Sequence, residues 1–161
     1  MYLLYRQDGM RYPKYSRRIN KSKDKYSVEQ TAIQLEVPSD PINGIYQQAT
    51  TIVPATTDQG MRKVKHLTVS LTSTGASILY WALIFVPEGY TANPISPAGK
   101  MYEPNQFVMN CGIIDTDAGP IRIGSKVSRN LNSGDSIALV VGSTNAGGYF
   151  RGIVRYAITL Q

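Results

Sequence analysis

The chain has 161 residues, one cysteine and a formal net charge of +6, with only 17 % of its residues charged. At this length one domain is expected, burying about 70 % of the unfolded surface. Cys111 alone excludes an intramolecular disulfide, and no apolar run approaches the ~20 residues of a membrane helix. The first apolar residues meet Arg6 and Asp8 too soon for a signal peptide, so a soluble intracellular protein is expected.

All of the surplus charge lies in residues 1–25, which form a basic arm ahead of a neutral body at 26–161. Arg6, Arg11, Lys14, Arg17, Arg18, Lys21, Lys23 and Lys25 face only Asp8 and Asp24 there, whereas the remainder holds nine basic and nine acidic residues. A cationic arm on a neutral module points to a polyanion. Tyr2, Tyr5, Tyr12, Tyr15 and Tyr26 lie in the arm or at its edge, and Tyr12 and Tyr15 sit among the cations. Flat rings stack on exposed bases while cations follow phosphates, a combination suited to single-stranded nucleic acid. Lys21, Lys23 and Lys25 would share one side of an extended chain. Six net charges engaged on a single strand predict a log-affinity against log-salt slope of about −4. A solubilising tail and a nuclear-import signal are the plainer readings of the same residues.

Beyond the arm, period-2 patterning dominates and no stretch carries a helical stripe. Residues 26–37 set Ile33, Leu35 and Val37 against Gln34 and Glu36; a Pro, Asp, Asn and Gly cluster follows, then a weaker strand at 45–53. Residues 63–73 alternate Leu67, Val69 and Leu71 with Thr68, Ser70 and Thr72. Residues 78–86 are apolar almost throughout, which predicts a strand covered on both faces around Trp81. Residues 87–102 form a long loop, and loops of that length are often functional or meet a neighbour. A fifth strand is expected at 106–114. A sixth at 121–131 turns Ile121, Ile123, Val127 and Leu131 inward and Arg122, Lys126 and Asn130 outward. Asn132-Ser133-Gly134-Asp135 reads as a hairpin turn into a seventh strand at 136–142. The eighth, at 150–160, alternates Phe150, Val154, Tyr156, Ile158 and Leu160 with Arg151, Arg155 and Thr159. Eight strands without a helix call for an all-β antiparallel sandwich or barrel.

The stretches Gly60-Met61-Arg62-Lys63-Val64-Lys65-His66, Tyr80-Trp81-Ala82-Leu83 and Val86-Pro87-Glu88-Gly89 occur in order. Tyr102-Glu103-Pro104-Asn105-Gln106-Phe107-Val108, Asp117-Ala118-Gly119-Pro120-Ile121-Arg122 and Ser128-Arg129-Asn130-Leu131-Asn132-Ser133-Gly134-Asp135 follow. Together, over roughly 59–161, they resemble the capsid proteins of circovirus-like viruses, small circular single-stranded DNA viruses that encode a replication initiator. The resemblance implies an eight-stranded jelly-roll subunit with two facing four-stranded sheets. It also implies self-assembly into an icosahedral shell, commonly of about sixty copies, around single-stranded DNA. The arm departs from the family pattern in being short, mixed in Lys and Arg, and rich in tyrosine.

Catalytic readings fare badly. His66, the single histidine, sits among Arg62, Lys63 and Lys65, and nothing ties it to Cys111 as base and nucleophile. One Cys and one His exclude a zinc spacing, Asp115 and Asp117 are too few for a calcium cage, and 142–148 lacks the lysine of a phosphate loop. No enzyme activity, cofactor or metal is therefore expected. The arm is the first nucleic-acid candidate, and the outward residues Arg122, Lys126, Arg151 and Arg155 are the second. Tyr90, Pro94, Ile95, Pro97, Met101 and Tyr102 in the long loop are the expected subunit contacts. The resulting expectation is a non-enzymatic coat protein of the virion, assembled in the host nucleus, with an import receptor as a further partner. A monomeric β-sandwich module binding a carbohydrate or a protein is the rival.

Overall fold

A computed structural model describes residues 26–37, 41, 45–74, 78–92, 107–115, 117, 119–126, 128–145 and 148–160. Nine strands are present among them: β1 (Ser27–Glu36), β2 (Tyr46–Val53), β3 (Arg62–Thr74), β4 (Ile78–Val86), β5 (Val108–Asp115), β6 (Ile121–Gly124), β7 (Arg129–Leu131), β8 (Ser136–Ser143) and β9 (Tyr149–Leu160). They form two antiparallel sheets, one ordered β1-β9-β3-β6 with β7 also on β3, the other β2-β8-β4-β5. The protein is an all-β sandwich.

Alternation builds the core. Leu35, Val69, Leu71, Ile121, Ile123, Phe150 and Val154 from the first sheet, with Val37 just beyond β1, meet Leu79, Trp81, Leu83, Ile137, Leu139 and Val141 from the second, all of them buried. Gly152 is held close to β3, where a Cβ would collide with the Ser70 carbonyl. On β2 both Ile52 and Val53 are buried, because a register shift between Thr51 and Val53 interrupts the alternation. Such a bulge sets two residues against one and lets neighbours in sequence serve the same side. Thr159, expected outward, is buried.

Two expectations need correction. The stretch 121–131 is not one strand: β6 pairs with Thr68–Leu71 of β3, and β7 pairs with Arg62–Val64. The interruption faces a register shift in β3 between Lys65 and Thr68, where His66 takes φ 55 and Ser125 N donates to Leu67 O at 2.8 Å. A single regular strand cannot stay in register with both sides of that bulge. Secondly, 132–135 is a turn but not a hairpin. It joins β7 of the first sheet to β8 of the second, with Asp135 N donating to Asn132 O at 3.2 Å and Gly134 at φ 80.

That corner is tied to its surroundings by a buried polar group. Arg62 Nη1 donates to Pro54 O and Nη2 to Asp135 O, each at 3.0 Å. The Asp135 carboxylate accepts from Asn132 N at 2.8 Å and from Glu88 N at 3.2 Å. The β2–β3 loop, the β7–β8 corner and the start of the long β4–β5 connection are thereby locked at one end of the sandwich.

Candidate nucleic-acid interface

The cross-strand register defines the outward face of the first sheet row by row. Gln30, Arg155 and Thr68 form one row, Ala32, Ile153, Ser70 and Arg122 the next, and Gln34, Arg151 and Thr72 a third. Glu36 and Tyr149 pair at the corner. Paired residues share a face and successive rows lie two residues apart along each strand, so these side chains form one surface. Apart from the half-buried Thr68 they are all exposed.

Arg122, Arg151 and Arg155 are the cations in these rows, and Glu36 is the single carboxylate. Glu36 is engaged at the margin, where the Tyr149 hydroxyl donates to Oε1 at 2.9 Å. That hydrogen bond, followed by the negative charge of Glu36, raises the Tyr149 phenol above its ordinary value. Two depressions open between the rows. One is lined by Arg122, Arg155, Ile153, Ser70, Thr68 and Gln30, the other by Arg151, Thr72, Gln34 and Tyr149. Further along β3, Lys65 Nζ stands 4.7 Å from the ring centroid of Tyr26.

The outward face of the second sheet differs throughout. Ala82, Ile84 and Val86 of β4 and Ala138 and Val140 of β8 form a separate buried apolar cluster, against which Ala49, Ala92 and Phe107 pack. Ala92 and Phe107 come from the two described ends of the long connection, so that connection leaves and re-enters the sandwich against this sheet. Its margin stays open at Ile113, which is 65 % exposed, and at Cys111.

Of the sequence-based candidates, Arg122, Arg151 and Arg155 are brought together. Lys126 is exposed in the link between β6 and β7 and has no place in the paired rows. Arg6, Arg11, Tyr12, Lys14, Tyr15, Arg17, Arg18, Lys21, Lys23 and Lys25 lie outside the described residues, as do Pro94, Ile95, Pro97, Met101 and Tyr102. Tyr90 is described and 69 % exposed, with its ring centroid 6.4 Å from that of Phe107. His66 and Cys111 stand on different sheets. Among the described residues no three His, Cys, Asp or Glu side chains gather as metal ligands.

Gln30, Tyr149 and Ile153 were not singled out in the sequence, and Gln34, Ser70 and Thr72 were read only as outward strand positions. Their signal is weak: ordinary residues at the outward positions of strands that turn out to be neighbours. The chain matches no protein-family model and no curated protein.

Proposed function

We propose that this chain is a viral coat protein that assembles into an icosahedral shell and packages circular single-stranded DNA. The observation that carries the proposal is the strand order. An eight-stranded jelly roll interleaves its strands as two sheets, with the first, eighth, third and sixth in one and the second, seventh, fourth and fifth in the other. The orders β1-β9-β3-β6 and β2-β8-β4-β5 follow that scheme once β6 and β7 are taken as one interrupted strand. This order agrees with the fold that the resemblance of the sequence words implies.

In this reading the arm, from Arg6 to Lys25, neutralises phosphates and gains free energy by releasing condensed counterions. Tyr12 and Tyr15 stack on bases. The neutral body binds copies of itself, with the long loop around Tyr90 among the contacts. The role is structural rather than catalytic, and the cationic cluster Arg17–Lys25 serves import into the nucleus before assembly.

Electron microscopy of purified, nuclease-treated protein tests this directly. Closed particles of uniform size holding nuclease-protected single-stranded DNA are expected. A monodisperse species at the chain mass of 17.7 kDa at every concentration would overturn the proposal in favour of a monomeric binding module.

A further inference from the structure

We infer that the outward face of the β1-β9-β3-β6 sheet is a second binding surface for single-stranded nucleic acid, distinct from the arm. Phosphates engage Arg122, Arg151 and Arg155, and this sheet is therefore the wall of the subunit turned toward the packaged strand. The inference deepens the coat-protein reading and rests on it for the identity of the strand.

Three features of the face carry it. The first is charge without compensation. The three guanidinium groups come from β6 and β9, converge on one surface through the register of β3, and have no carboxylate partner among the described residues. Unpaired arginines on a polar face suit phosphate, because the guanidinium fork donates two parallel hydrogen bonds to its oxygens.

The second is the filling between the cations. Ser70 and Thr68 lie between Arg122 and Arg155, and Thr72 and Gln34 flank Arg151, so each depression combines arginine with neutral hydrogen-bonding side chains. Arg151 and Arg155 lie four residues apart on one strand, about 14 Å at ~3.4 Å per residue. The two depressions thus offer two separate phosphate positions along one extended backbone.

The third is the presence of flat or apolar surface among the cations. Tyr149 and Ile153 are 41 % and 46 % exposed, one in each depression. Tyr149 is steadied by its hydrogen bond to Glu36. An exposed ring such as that of Tyr149, with apolar Ile153 beyond it, gives unstacked bases a platform that a duplex with its bases paired cannot use. This favours a single strand over a double one.

The test uses the full chain with its arm. Labelled oligothymidylate is titrated at several salt concentrations against the parent, against Arg122→Gln/Arg151→Gln/Arg155→Gln, and against Ala32→Glu and Ala32→Gln. Loss of three phosphate contacts should flatten the log–log salt slope by about 2, at ~0.7 per contact. Ala32 is exposed in the row of Ile153, Ser70 and Arg122, so a carboxylate there should weaken binding while glutamine should not. Circular dichroism and thermal unfolding of each variant should match the parent, since all four positions are exposed.

An unchanged slope and affinity in the triple variant would overturn the inference. So would a duplex of equal length that binds as tightly as the single strand. Particle imaging separates this result from the coat-protein reading. Shells that form normally but hold less DNA in the triple variant support both. Arginine-dependent oligonucleotide binding by a chain that never forms particles sustains the surface and removes the shell.

Discussion

The two outward faces of the sandwich have opposite characters, although both belong to antiparallel sheets of similar size, one of five strands and one of four. On the first sheet the outward positions are mostly polar or cationic, and even the apolar Val28 and Ile153 among them are exposed. On the second, Ala82 and Ala138 are 1 % exposed and Val140 3 %. An antiparallel sheet commonly keeps one face wet, and here only the first sheet does. The centre of the second sheet is covered on both sides, which is why β4 and β8 read as near-continuous apolar runs. The face left in water is the one that bears Arg122, Arg151 and Arg155, which have no carboxylate partner among the described residues.

One matched pair of substitutions would break this contrast if it were wrong. Ala138→Glu places a carboxylate in the buried outer cluster and should cost at least about 3 kcal/mol. Ala32→Glu makes the same change on the exposed face of the other sheet and should stay within about 0.5 kcal/mol. Denaturant midpoints at constant slope measure both. Equal effects would mean that the two faces do not differ in burial.

Comparing an inside with an outside arginine sharpens the same point. Arg62→Leu removes the donors to Pro54 O and Asp135 O in a buried corner, and should cost about 2–3 kcal/mol. Arg122→Gln, on the open face, should change stability by less than about 0.5 kcal/mol while weakening oligonucleotide binding. A smaller effect is expected from the tyrosines of β9. Burial, aided by the charge of Glu29, raises the Tyr156 phenol above its ordinary 10.0. Its protonated form is thus favoured in the folded state. That contribution is complete below pH 10 and is lost as pH rises through the higher folded-state value. Unfolding curves between pH 9 and pH 11 should therefore show falling stability, with a shallower fall in Tyr156→Phe.

Much of this arrangement was readable from residue order, because it depends on neighbours in sequence. The alternation of Leu67, Val69 and Leu71, the all-apolar run around Trp81 and the Arg151/Arg155 spacing each follow from the two-residue period of a strand. Local turn chemistry was readable too, but only as turn chemistry. Asn132-Ser133-Gly134-Asp135 bends the chain as a hairpin turn does, yet its two strands pair with different partners. Nothing in four residues records which sheet the chain enters next. The break between β6 and β7 was hidden for a similar reason, since its counterpart is the bulge at His66, about 60 residues earlier.

Residue order alone settled strand content, the inward positions of most strands and the concentration of positive charge in residues 1–25. Those are short-range matters of periodicity and composition. Which strands lie side by side was decided only in three dimensions, by pairings such as β1 with β9 and β3 with both β9 and β6. A two-residue repeat distinguishes inside from outside but carries no label for the neighbouring strand. Long-range hydrogen bonding is therefore what gathers Arg122, Arg151 and Arg155 on one surface and buries Ala82, Ala138 and Val140 on the other.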